Sequence, residues 1–154
     1  MLAEAITLAL VLGFYWYLTQ GFPGNVDDVR TVRNDQAAAW NRGDLEGYMA
    51  GYWKSDQLRF FGGADVTTGW QGTLDNYRKK YQGEGKEMGK LTFADVRVTQ
   101  HSDKDATASG HWQLDFADQT KSEGLFTLIL HKFGSEWRII HDHSSGKPRS
   151  NKPS

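Results

Sequence analysis

The sequence predicts an α+β fold in a single domain, with helices packed on one face of an antiparallel sheet, and three observations carry that reading. Apolar residues recur at helical spacing from Val29 to Trp53 and again from Gln71 to Gln82. From Leu91 onward the pattern changes to period two, as half-buried strands require. Turn-forming clusters then divide this second half into four runs.

The elements follow in order. Asn25 reads as an N-cap, with Asp27 and Asp28 in a first turn where the helix dipole favours negative charge. Val29, Val32, Gln36, Ala37 and Trp40 give that helix one buried face, and Arg42-Gly43 ends it. Asp44 caps a second helix carrying Tyr48, Met49, Tyr52 and Trp53. Leu58 to Phe61 and Val66 to Trp70 read as short extended pieces, and Gln71 to Gln82 as a third helix with Leu74, Tyr77 and Tyr81 on one face. The stretch Gly83 to Lys90 is a loop, with no strand ahead of it and no helix after it to make a phosphate cradle.

Strands are expected at Leu91–Gln100, Ala106–Phe116, Ser122–Phe133 and Glu136–His143, joined by the turns at 101–104, 117–120 and 134–135. Both alternating faces of Leu125 to Leu130 are apolar. A strand with one wet face would alternate cleanly, so this one is expected to be covered on both sides. Helices cover one side, and a second copy of the chain is the natural cover for the other; a homodimer formed through the sheet is the expected assembly.

The length of 154 residues fits one domain that needs no covalent staples. Cysteine is absent, which excludes disulfides, thiolate metal sites and a cysteine nucleophile. A net charge of −1 gives no reason to expect nucleic acid as a partner. The aromatic fraction of 13%, with six Trp, suits a large core or an apolar pocket.

The domain is expected to span residues 25–145, between an apolar segment at 1–24 and a disordered polar tail at 146–154. Ala5 to Leu18 is apolar apart from Thr7, long enough for a signal-peptide core but short of a bilayer span. Tyr15-Trp16-Tyr17 suits a membrane interface. Glu4, the lack of Lys or Arg before the run and the lack of an A-x-A site weigh against export. Export or membrane association through residues 1–24 is the expectation; a cytoplasmic protein with this helix packed on the domain or on a second subunit is the alternative.

His141-Asp142-His143 is the most pointed chemical feature. Strict alternation puts both imidazoles on one face with Trp137 and Ile139, and Asp142 on the other with Arg138 and Ile140. The pair is either a polar cluster at a pocket, moving protons near neutral pH, or a hydrogen-bonded feature of a strand end or dimer interface. Two such histidines can also chelate zinc, with His111 as the one attractive third ligand, but no spacing motif supplies it. No metal or cofactor is therefore assigned. On the strand around His111, Ala108, Gly110, Trp112, Leu114 and Phe116 share an apolar face, while Thr107, Ser109, His111, Gln113 and Asp115 share a polar one. The candidate catalytic residues are His141, His143 and His111; the candidate ligand walls are Trp40, Tyr52, Trp53, Phe60, Trp70 and Tyr77. For any single aromatic, plain core packing is the competing explanation. Asp44, Asp65, Asp115 and Glu123 are carboxylates that spacing alone does not rank. There is no GxSxG elbow, HExxH, P-loop or dinucleotide fingerprint.

The run Ala39-Trp40-Asn41-Arg42-Gly43-Asp44-Leu45, then Tyr52-Trp53, Phe61-Gly62-Gly63, Gly69-Trp70 and the ending Trp137 to Ser145 resemble the SnoaL-like branch of the nuclear transport factor 2-like superfamily, over about Val26 to Ser145. The ending, Trp137-x-x-x-His141-x-His143 followed by Ser144, is also similar to the association domain of calcium/calmodulin-dependent protein kinase II. The resemblance implies a cystatin-like cone: three N-terminal helices on a strongly curved antiparallel sheet, a deep pocket, and dimers through the sheet. It does not carry one function, since such domains include cyclases, isomerases and dehydratases as well as non-catalytic modules. In the isomerase-like enzymes an Asp base faces a Tyr or a protonated acid, and no motif here places either role. No kinase domain precedes the association-like region, so a kinase hub is not expected. The expectation is a dimeric pocket protein for a small, partly apolar organic ligand with acid–base turnover; the alternative is a non-enzymatic assembly or sensing module, membrane-tethered through residues 1–24.

Overall fold

Helix α1 (Val26–Asn41) buries Val29, Arg33, Gln36, Ala39 and Trp40 along one stripe, with Asp27 and Asp28 in its first turn. Gly43 ends it with φ 82°, a conformation that favours glycine. The Gly43 N–H donates to Trp40 O and the Asp44 N–H to Ala39 O, both at 2.9 Å, which closes the helix in a Schellman turn. Asp44 then caps α2 (Leu45–Met49), accepting the Gly47 N–H at 2.7 Å. This positions the Trp40 and Tyr48 rings edge to face, with centroids 5.2 Å apart. The computed structural model describes residues 26–147 and residue 149. The expected apolar segment 1–24, the expected cap Asn25 and the rest of the tail lie outside the described residues. Among the described residues, no helix is long and apolar enough to cross a membrane.

The hairpin β1 (Arg59–Gly62) and β2 (Asp65–Thr68) leads into α3 (Trp70–Tyr77), which continues as a π-turn over Arg78–Gln82. Four long strands follow: β3 (Lys90–Gln100), β4 (Asp105–Asp115), β5 (Lys121–Phe133) and β6 (Glu136–Gly146). They form the expected antiparallel meander within one six-stranded sheet of order β2-β1-β6-β5-β4-β3. Two corrections follow. Only two helices precede the first strand, because α3 lies between β2 and β3. The sheet is not antiparallel throughout: β1 pairs parallel to β6, with Phe61 opposite His143. No short turn joins that pair, so hairpin geometry does not dictate its direction.

β6 extends past the expected end at His143, and Lys147 adds a backbone bond from its N–H to Glu123 O at 2.9 Å. From within the expected tail, Arg149 stacks its guanidinium 3.7 Å from the Phe116 ring centroid and pairs with Asp118 at 2.8 Å.

A bulge in β6 decides which side chains face inward. Ile129 pairs with His141 but Leu130 pairs with Ile139, so Ile140 is an extra residue on β6. The segment after α2 clamps this point: Trp53 N–H donates to Ile139 O, and Ile139 N–H to Gly51 O, both at 2.9 Å. One extra residue reverses the alternation beyond it. Trp137, Ile139 and Asp142 therefore share the buried face, while His143 is exposed and His141 stacks on Phe61, which lies opposite His143 across the β1–β6 pair. The expected grouping of His141 and His143 with Trp137 and Ile139 is reversed.

Candidate functional site

A cavity of about 500 Å3 opens between the helices and the inner face of the sheet. Arg33 and Trp40 come from α1, Tyr48 from α2, Phe60 from β1, and Thr73 and Tyr77 from α3. Phe93 on β3, Trp112 and Leu114 on β4, and Asp142 and Ser144 on β6 complete the main walls. Trp40 is the hub of the aromatic side: Tyr48, Tyr77 and Tyr81 all meet it edge to face, at centroid distances of 5.2, 5.8 and 4.8 Å. Its indole N–H donates to Gly89 O at 3.1 Å, which fixes the ring.

The polar side is built on Asp142, which is only 2% exposed. Ser144 Oγ donates to its Oδ1 at 2.7 Å and Tyr52 Oη to its Oδ2 at 2.8 Å. Burial pushes the Asp142 carboxyl above the ordinary value, against the opposing pull of the Ser144 bond, the Arg33 charge and the Tyr52 bond. Tyr48 Oη lies 3.4 Å from both Tyr52 Oη and Tyr77 Oη. Each phenol has one proton, and Tyr52 has committed its own to ionised Asp142. When these longer contacts form, they must therefore run from Tyr77 to Tyr48 and from Tyr48 to Tyr52. Protonation of Asp142 allows the whole chain to reverse, leaving Tyr77 free to donate into the cavity. Burial raises the Tyr52 and Tyr77 phenols well above their usual value, so both stay protonated at neutral pH.

The site residues expected from the sequence separate into three groups. Trp40, Phe60 and Tyr77 line the cavity. Tyr52 lies behind the wall as the partner of Asp142. Trp53 instead stacks on Phe133 at 5.4 Å, and Trp70 donates its indole N–H to Met49 O at 2.8 Å; neither lines the cavity. None of the three histidines lines it either. His141 stacks on Phe61 at 4.9 Å and His143 lies 6.1 Å from the same ring. His111 is exposed with Nδ1 3.3 Å from Asp95 Oδ2. Among the described residues, no group of three or more His, Asp or Glu side chains is placed to hold a metal ion. Of the four unranked carboxylates, Asp65 reaches the cavity lining. Asp44 caps α2, Asp115 accepts from Gln113, and Glu123 pairs with Lys147.

Arg33 and Asp142 were not among the expected site residues. Arg33 was legible in part, being four residues after Val29, three before Gln36 and seven before Trp40, all on the buried stripe. Asp142 was hidden by the bulge.

An α+β layer pair with a pocket between helices and sheet is the architecture of the cystatin-like, nuclear transport factor 2-like class. The chain belongs to the SnoaL-like family, whose domain model matches residues 29–149. It is similar to a crystal structure of an NTF-2 like protein of unknown function from Shewanella oneidensis, with 36% identity and a TM-score of 0.71 over 77% of this chain and 97% of that one. A nuclear transport factor 2-like superfamily protein from Salmonella enterica shares the fold at 16% identity, with a TM-score of 0.67 over 82% of this chain and 93% of that one. A protein from Xanthomonas campestris, described as a putative calcium/calmodulin dependent protein kinase II association domain, does so at 16% identity, with a TM-score of 0.59 over 78% and 86%. No curated protein matches the chain.

Proposed function

We propose that the protein binds a small, partly apolar organic molecule in this cavity and moves a proton on it, with Asp142 as the acid–base group. The observation that carries the reading is a buried carboxylate on the inner face of an aromatic-walled cavity, pushed upward in pKa and held in place by Tyr52 and Ser144. Such a carboxylate takes a proton at one position of a bound molecule and returns it at another. Tyr77, a phenol on the wall, supplies a hydrogen bond to the oxygen where negative charge develops. Isomerisation, cyclisation and dehydration can each use such a pair. The proposed polar end is thus Asp142 and Tyr77, and the three histidines take no part in it.

The test is native mass spectrometry of the purified protein with a thermal-shift screen of aromatic ketones and small carboxylates. A ligand that co-purifies or raises the melting point supports binding. Asp142→Asn should then keep the ligand and lose its conversion. Conversion that survives in Asp142→Asn would overturn the acid–base role.

A second reading, a non-catalytic dimeric assembly module, is favoured by the outer face of β5, where Leu125 is 53% and Ile129 41% exposed in the single chain. The occupant proposed for that face is a second copy, because the strip lies mid-sheet and can meet its own symmetry mate.

A further inference from the structure

Arg33 is 3% exposed and lines the cavity, yet among the described residues its one side-chain hydrogen bond goes from Nη1 to the neutral Gln36 Oε1, at 2.6 Å. Its Nε–H is buried with no acceptor among the described residues. The guanidinium carbon sits 3.6 Å from the Phe93 ring centroid and 4.4 Å from that of Phe126. The rings attract the cation but accept none of its in-plane N–H bonds. Asp142 feels the Arg33 charge, but each of its oxygens already accepts a hydroxyl, from Ser144 and from Tyr52. A buried cation held this way bears a desolvation cost that stacking only partly offsets.

We propose that Arg33 is the anion-binding residue of the cavity, and that the bound molecule carries a carboxylate on a flat, apolar body. A carboxylate matches the planar guanidinium with paired, charge-assisted hydrogen bonds and supplies the acceptor that the orphaned donor lacks. Phe93, Trp112 and Leu114 offer the apolar body its walls. Besides Arg33, the lining carries two cations, Lys80 and Lys147, and two acids, Asp65 and Asp142, so the other charges balance and Arg33 supplies the positive excess. This inference rests on the cavity being a ligand site, and the test separates the two.

Isothermal titration calorimetry on the intact chain would compare cinnamate with cinnamamide, which share shape but differ in charge. Cinnamate should bind the wild type tighter by roughly tenfold or more, the worth of one charge-assisted pair. Arg33→Met keeps a linear apolar chain between the two rings and should bind acid and amide alike; Arg33→Lys should keep part of the preference. Circular dichroism checks the fold, and if Arg33→Met does not fold, the wild type and Arg33→Lys decide. Equal binding of the two compounds by the wild type overturns the role of Arg33 while leaving the cavity a ligand site. So does a preference that survives Arg33→Met. Binding of neither compound at millimolar concentration overturns both readings.

Discussion

Tyr52 and Asp142 stand 90 positions apart, and a 2.8 Å hydrogen bond from the Tyr52 hydroxyl to Asp142 Oδ2 joins the segment after α2 to the last strand. That bond closes the same seam as the backbone bonds of Ile139 to Gly51 and Trp53. The seam and the bulge act together: the bulge turns Asp142 inward, and Tyr52 gives its carboxylate a donor there. An ionised group so deeply buried without such donors would be strongly disfavoured.

The charge of Asp142 should make stability pH-dependent in a direction opposite to an ordinary salt-bridged carboxylate. Its carboxyl value in the folded chain lies above the unfolded value of 3.8. The native state therefore holds the proton more firmly, and ionisation costs stability. That cost is absent well below 3.8 and fully present above the folded value. Asp142→Asn carries no such cost, so its melting temperature relative to wild type should climb as pH rises through this window. Thermal melts across the acid-to-neutral range read the slope; a difference independent of pH would contradict it. Tyr52→Phe leaves Oδ2 without its donor and should destabilise by about 1–3 kcal/mol. In the Asp142→Asn background the loss should shrink, and urea unfolding of the double variant measures that coupling.

Much of the fold was legible because it rests on local signals. Asp44 and Gly43 fix the α1–α2 joint, and the turns at 101–104, 117–120 and 134–135 fix the meander. The site was less legible because it depends on relations between distant segments. Alternation read along His141-Asp142-His143 gives the wrong faces, since the extra Ile140 arises from how β6 meets β5 and the segment after α2. Arg33 lay on the helical stripe, but its burial depends on Phe93 and Phe126, which lie on β3 and β5. The abundance of aromatics suited a core or a pocket alike, and did not say that Trp53 and Trp70 would face away from the cavity while Trp112 would line it.

Gly110 makes room for the seat of Arg33. A Cβ there would meet the Phe126 ring and Ala94 O at 2.9 Å each. Neither can yield cheaply, since Phe126 is buried against Phe93 and Ala94 O belongs to the sheet backbone. Gly110→Ala should therefore destabilise by about 1–3 kcal/mol through overpacking. The double variant Gly110→Ala/Phe126→Leu should lose less than the two single losses added together, because the smaller side chain vacates the contested space. Additive losses in urea unfolding would place the strain elsewhere.

The outer face of the sheet gives the last prediction. Leu125 and Ile129 stand on β5, an interior strand of the sheet, opposite His111 on β4 and His141 on β6 respectively. A water-facing strand has no need of large apolar residues there, and exposing them costs the chain solubility. If a second copy covers this face, sedimentation of the wild type should show a dimer at micromolar concentration. Ile129→Asp should then produce a monomer, because a carboxylate buried in an apolar interface without a partner opposes association. Its far-UV circular dichroism should match the wild type, since the side chain does not enter the core. A wild type that sediments as a monomer removes the support for an assembly module and leaves the cavity on the opposite face of the sheet untouched.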